Sequence, residues 1–254
     1  MKALLYAYNP EYAKELAIRL IPFGIEAIPC SETEDLLTQQ CEEESPFHLV
    51  FTEKTEKDFI SKLKEKYNNT HTIVLSSKDL PPAELKELVP LGITTVMRLK
   101  NQPDAMVEEI VQFIVSHNIR SSDKRLHIRV QPQPHETATA SVFLKKMARF
   151  VRGKILDISA GGFALLADDS LEISLLSPGE IYDNVILSLN GREIKTVAKM
   201  VVRRDVIAGF KFENVEPKEM LEIASYIYNH LEDNYRRKLR AMMTENEVIK
   251  NKDT

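Results

Sequence analysis

The chain has 254 residues, 43% of them hydrophobic and 28% charged, with a net charge of −4. That length suggests two domains, and no uninterrupted apolar run approaches the ~20 residues of a membrane helix, so no insertion into a bilayer is expected. Charge is unevenly divided, with 13 basic and 19 acidic residues over 1–120 against 21 and 19 over 121–254, which makes the second half the better host for an anion.

The opening "MKALLYAYNP" is too short for the apolar region of a signal peptide and has no small-residue cleavage site after it. It reads as a first strand of a cytoplasmic protein. "PEYAKELAIRLIPFG" follows, with proline at its start, apolar residues at helical spacing and Gly24 as a stop. The cycle repeats four times. "IEAIPCS" leads to "ETEDLLTQQCEEE", "FHLVFTE" to "KDFISKLKEKYNN", "HTIVLSS" to "PPAELKELVPLG", and "ITTVMRL" to "DAMVEEIVQFIVSHN". Five such units predict a parallel sheet covered by helices on both faces, because each parallel crossover needs a covering helix. Cys30 and Cys41 are too few for a disulfide framework and lack metal-ligand spacing, and the six histidines are scattered. No metal and no resident cofactor are expected.

The alternation over residues 1–118 resembles the receiver domain of two-component response regulators, a flavodoxin-like fold. The resemblance implies an acidic pair after the first strand to hold Mg²⁺, and that place is taken by Tyr8, Asn9 and Pro10. It also implies a phosphoacceptor aspartate ending the third strand, where Thr52 and Glu53 stand instead. Ser76 matches the hydroxyl after the fourth strand, and Lys100 or Arg98 stands for the lysine after the fifth. Without metal ligands or acceptor, phosphoryl transfer has neither nucleophile nor charge clamp. The domain reads as a pseudo-receiver that docks a protein partner; a second reading has Glu53 imitate a phosphorylated acceptor.

Residues 119–134, from the polar stretch "SHNIRSSDKR" onward, read as a linker. Over 135–216, "RFVRGKILDIS", "GFALLA", "NVILSLN", "REIKTVAKMVVRR" and "IAGFKFENV" are rich in β-branched and aromatic residues, and Asn190–Gly191 is a two-residue hairpin signal. Ser177, Pro178 and Gly179 supply another turn. A small antiparallel barrel is predicted. A helix over 217–246 carries apolar residues at Leu221, Ala224, Tyr228, Leu231, Tyr235 and Met242. That seam is longer than one small barrel needs, so part of it is expected to pair with a second copy, although Lys238 interrupts it.

Two motifs flank the first barrel strands. Arg125 and Arg129 form RxxxR within the linker, where Pro132 and Pro134 keep the chain extended. Asp157, Ser159 and Gly162 form DxSxxG between two strands. Taken separately, such arginines are ordinary solvated charge, and such an Asp-Ser turn an ordinary hairpin cap. Taken together and in this order, they resemble the PilZ domain, the bacterial receptor for cyclic di-GMP, over residues 123–230.

The residue types suit that ligand. A guanidinium meets a phosphate, or the O6/N7 edge of guanine, with two parallel hydrogen bonds while stacking on a purine. An ionised Asp157 is acceptor-only and suits the N1 and N2 donors of guanine. Ser159 both donates and accepts, and Gly161 and Gly162 let the backbone turn tightly and approach the ligand. Lys124 stands where many PilZ domains carry a further arginine that helps bind a stacked ligand dimer, leaving one or two ligand molecules open. The basic cluster Lys145, Lys146, Arg149, Arg152 and Lys154 adds electrostatic support next to this site. Arg236, Arg237, Lys238 and Arg240 read as exposed helix charge, and neither cluster has the aromatic interleaving of a nucleic-acid surface, so no nucleic-acid partner is expected. No nucleophile and base stand at recognisable spacing. The sequence therefore reads as a non-enzymatic cyclic di-GMP receptor that changes shape and partner contacts on binding. The alternative is a ligand-blind two-domain scaffold acting through the pseudo-receiver.

Overall fold

A computed structural model describes residues 1–30, 32, 47–120 and 126–250. The chain divides into two compact units, Met1–His127 and Ile128–Thr254.

In the first unit, strands β1 (Lys2–Tyr6), β2 (Glu26–Cys30), β3 (Leu49–Thr52), β4 (His71–Ser76) and β5 (Thr95–Arg98) form one sheet in the order β2-β1-β3-β4-β5. Every pairing is parallel. This is the doubly wound order of flavodoxin-like folds. Helices α1 (Pro10–Leu20) and α4 (Pro103–Ser116) pack together. They bury Leu16, Leu20, Met106 and Ile110. On Leu4, Val50 and Val74 lie Phe59, Ile60 and Leu63 of α2 (Lys57–Lys66) and Leu88 of α3 (Pro82–Leu88). β3 is buried along its whole length, as a central parallel strand covered on both faces must be. Gly24 ends the first helical segment in the left-handed conformation at φ 74°, after a 3₁₀ turn over Ile21–Phe23. The predicted helix "ETEDLLTQQCEEE", and Cys41 within it, lie outside the described residues except for Glu32.

The second unit is a closed six-stranded antiparallel barrel. Its strands are β7 (Ala138–Leu144), β8 (Arg149–Ser159), β9 (Gly162–Ala167), β10 (Ile181–Leu189), β11 (Arg192–Arg204) and β12 (Ile207–Asn214). They run β8-β7-β10-β11-β12-β9, and β9 pairs back onto β8. A short helix, α5 (Ser170–Ser174), leaves β9, and a long one, α6 (Pro217–Lys250), follows the barrel. The core holds Phe163 stacked on Phe210 with centroids 4.9 Å apart, flanked by Phe212 and Tyr182. Asn190 and Gly191, at φ 49° and 82°, make the β10–β11 hairpin as the dipeptide predicts.

Three features depart from the sequence reading. β7 was not foreseen, because "ATASVFL" presents mostly small residues; its alternation is nonetheless regular, with Ala138, Ala140, Val142 and Leu144 buried. Arg129 is not in an unpaired linker but in a two-residue strand, β6 (Arg129–Val130), held on β8 with Val130 buried. The helix α6 buries a wider stripe than the predicted seam. Ile223, Tyr226, Ile227 and His230 join Ala224 and Tyr228 in the core, and the helix packs on β6, β8 and β11. The side chains of Lys238 and Met242 lie outside the described residues.

Candidate functional site

The second arginine of RxxxR and the DxSxxG motif meet at the end of β8. Val151, Gly153 and Ile155 take its buried positions. An irregularity in the β8–β9 pairing between Ile155 and Asp157 then shifts the alternation, so that Ile158 becomes the next fully buried residue. Asp157 is thereby placed on the outer surface. β6 pairs with the same end of β8, Arg129 opposite Ser159 and Val130 opposite Ile158. Directly opposed residues of an antiparallel pair project from the same face, so Arg129 stands beside both motif side chains. Its Nη1 lies 3.8 Å from Asp157 Oδ1, with the two side chains 56% and 28% exposed. This separation is too long for a direct hydrogen bond.

Ser159 behaves differently. It is buried, its hydroxyl donates to the Gly162 carbonyl at 3.2 Å, and it accepts from the Gly161 N–H at 3.3 Å. The serine therefore holds the turn. Gly162 is also structural: at φ 157°, a Cβ there would lie 2.0 Å from the Phe210 carbonyl oxygen. The space anticipated for a ligand is filled by β12, which is further tied to the turn by the Phe212 N–H donating to the Gly161 carbonyl at 3.0 Å. The sequence signal for that neighbour was the strand "GFKF". Lys124 and Arg125 lie outside the described residues.

The basic cluster does not surround the site. Arg149 begins β8, roughly 25 Å from Asp157 at about 3.3 Å per residue. It pairs with Glu172, while Lys145 pairs with Asp183. Arg152 lies over the Phe150 ring at 5.9 Å. On α6, Arg236 pairs with Glu232 at 3.0 Å and Arg237 bonds Asn234 and the Asp233 carbonyl.

A partly buried carboxylate that sequence reasoning missed fixes the chain just after β6. Glu136 accepts from the Gln133 N–H at 2.7 Å, from Asn190 at 3.4 Å and from the Tyr226 hydroxyl at 3.4 Å. His230 Nε2 lies 2.7 Å from its Oε2. Burial alone would raise the Glu136 pKa, but the bonds from Gln133 and Asn190, with His230 and Tyr226, hold it below its ordinary value. Glu136 so ties the loop leaving β6 to α6 and to the β10–β11 hairpin. No local pattern announces it, because its partners lie far along the chain.

In the first unit the residues at the receiver positions are engaged internally. Asn9 caps α1, accepting from Glu11 and Tyr12 N–H groups at 3.1 and 3.2 Å. Thr52 accepts from the Lys54 N–H at 3.0 Å, and Glu53 accepts from the Tyr8 N–H. Ser76 donates to the Lys78 carbonyl at 2.6 Å. Lys100 pairs with Glu109 at 3.0 Å, whereas Arg98, the other candidate for that position, is exposed and approaches Asp79 only to 3.6 Å. Burial, then Glu53 and Glu15, push the Tyr12 phenol up to about 12. A cavity of about 410 Å³ remains at this end, lined by Tyr8, Glu53, Ser76 and Glu84 among others. Among the described residues, no three His, Cys, Asp or Glu side chains are grouped to hold a metal ion. No described helix is long and apolar enough to cross a membrane.

Fold and site thus define a receiver-like α/β domain joined to a closed barrel with Arg129, Asp157 and Ser159 at one corner. The family model of the PilZ domain matches residues 120–229, so the second part of the chain is a PilZ domain. No curated protein matches the sequence. Among solved structures, the chain is similar to the PilZ domain of YcgR from Escherichia coli, solved with c-di-GMP (17% identity, TM-score 0.39, covering 46% of this chain and 98% of that one). It is similar to the MrkH–c-di-GMP complex of K. pneumoniae (20% identity, TM-score 0.37, 46% and 56%). It is also similar to HP1043, an orphan response regulator of H. pylori (22% identity, TM-score 0.37, 44% and 94%). The match spans 51% of a longer YcgR chain, again about half of that structure.

Proposed function

We propose that the protein is a non-enzymatic cyclic di-GMP receptor acting as a signalling effector. The observation that carries this reading is the pairing of Arg129 with Ser159, which sets the second arginine of RxxxR beside DxSxxG, with Asp157 partly exposed next to it. The PilZ match supports it. Energetically the exchange is favourable. Binding replaces one long, exposed ion pair, worth ~0–1 kcal/mol, by charge-assisted hydrogen bonds from Arg129 worth ~1.5–3 kcal/mol, and frees Asp157 to accept from guanine. Arg125 closes over the ligand from the preceding segment, with Lys124 beside it. The receiver-like unit, whose would-be catalytic positions are taken up internally, docks a protein partner, and α6 contributes a contact to a second copy.

Calorimetric titration with cyclic di-GMP, GTP and cyclic di-AMP tests the reading. Saturable heat is expected with cyclic di-GMP alone, and its stoichiometry decides between one and two ligands. No heat with any of the three sinks the receptor and leaves the ligand-blind scaffold. For the second copy, truncation after Glu232 should lower the molar mass in light scattering; an unchanged mass refutes pairing through α6.

A further inference from the structure

The strand register places the motif corner at one end of a longer row. Arg129 lies opposite Ser159, Ser159 opposite Gly162, Gly162 opposite Lys211, and Lys211 opposite Lys199. The row crosses β6, β8, β9, β12 and β11, and Gly162 supplies no side chain in its middle. The next outward rung is Asp157, Ala164, Gly209 and Val202. Its centre is a small residue and a glycine, where a Cβ on Gly209 would lie 2.7 Å from Val202 Cγ1. The barrel face beside Asp157 is therefore a shallow bed, walled by Arg129 on one side and by two lysines on the other.

Those lysines differ from the barrel cations that are already held by the fold. Arg203 donates to the carbonyls of Ser174 and Leu176, both at 2.8 Å, while Lys145 and Arg149 each have a carboxylate. Lys199 and Lys211 have no ion pair among the described residues. They also face one another directly across two strands, and like charges so placed repel. A like-charged cross-strand pair without a counterion favours an anion laid over it.

We propose that Lys211 and Lys199 form the second cationic wall of the site and hold a phosphate of the cyclic dinucleotide from the side opposite Arg129. The proposal rests on the cyclic di-GMP reading and extends it to the far strands of the barrel. Arg129 on β6 and Lys211 on β12 are three strand spacings apart, roughly 14 Å along the sheet, with Lys199 one spacing further, a gap that long Arg and Lys side chains narrow by reaching toward one dinucleotide from its two sides. Lysine suits this wall as a point charge for phosphate, whereas the fork of Arg129 serves the edge or the paired oxygens.

The test is calorimetric titration of the full chain with cyclic di-GMP for the parent, Lys211→Met, Lys199→Met, the double variant and Lys211→Arg, each at low and high salt. Each methionine should weaken binding about three- to tenfold, the double variant more, and the double should lose much of the parent's salt dependence. Lys211→Arg should keep most of the affinity. Without ligand, the methionine variants should melt at or above the parent, since the repulsion is gone, a response that loss of a structural contact would reverse. Should the double variant not fold, Lys211→Gln is judged by the same criteria. A parent that binds together with a folded double variant of unchanged affinity and salt dependence overturns the proposal while leaving the site at Arg129 standing. A parent that does not bind removes the reading of the site and this proposal with it.

Discussion

Polar side chains gather both at the carboxyl end of the parallel sheet and at the β8–β9 corner of the barrel, and at the barrel corner Arg129 and Asp157, unlike Ser159, are left without a hydrogen bond to the fold among the described residues. In the first unit Asn9, Thr52, Glu53 and Ser76 each bond the backbone of their own domain, and Lys100 has Glu109. In the barrel, Arg129 and Asp157 keep only a 3.8 Å approach to each other, both partly exposed. A donor or acceptor already satisfied inside the fold gains little from a ligand, whereas an under-satisfied surface group still gains from one. Polar clustering alone therefore does not mark a site; unspent hydrogen-bonding capacity does.

The largest expected effect tests where structure ends and site begins. Gly162→Ala forces a Cβ into the Phe210 carbonyl at a left-handed φ, and should cost about 3 kcal/mol or more in urea denaturation. A variant as stable as the parent that loses only ligand binding would return this glycine to the ligand.

Arg129→Ala should leave melting unchanged while weakening cyclic di-GMP binding roughly tenfold to a hundredfold, the equivalent of ~1.5–3 kcal/mol. Arg125→Ala should do the same, and Arg129→Lys should rescue little because the planar fork is lost. Unaltered affinity in a normally melting Arg129→Ala protein would break the contrast between the two clusters.

Glu136 sharpens it from the side of stability, as a polar group that is fully spent. Its folded pKa lies below the ordinary carboxylate value, so its contribution is present above the unfolded pKa and is lost as pH falls through the folded one. Glu136→Gln should cost about 1–2 kcal/mol near neutral pH and flatten the acid limb of a stability-versus-pH curve. An identical limb in the variant would show that the clamp to Gln133, Asn190 and α6 carries none of it.

The smallest expected effect is none. Acetyl phosphate with Mg²⁺ should leave the mass of the chain unchanged, because the positions of the acidic pair and acceptor hold Asn9 and Glu53. A stable Mg²⁺-dependent adduct would show that the first unit retains the chemistry its residues argue against.

Local pattern in the sequence determined a good deal by itself: the five described parallel strands, four of the barrel strands from end to end, the Asn190–Gly191 hairpin, the start of α6 and both motifs. These are short-range signals, set by side-chain periodicity, proline and glycine conformations and motif spacing, and they survive without knowledge of the partner strand. Pairing across the chain decided the rest. It turned Arg129 from a linker residue into a strand residue opposite Ser159. It spent Ser159 and Gly162 on the turn and the β12 contact, and removed most of the basic cluster to the far end of β8. It also aligned Lys199 and Lys211 with Arg129 and enclosed Glu136 between distant segments. Register, burial and hydrogen-bond saturation depend on residues tens of positions apart, so they exist only once the barrel has closed.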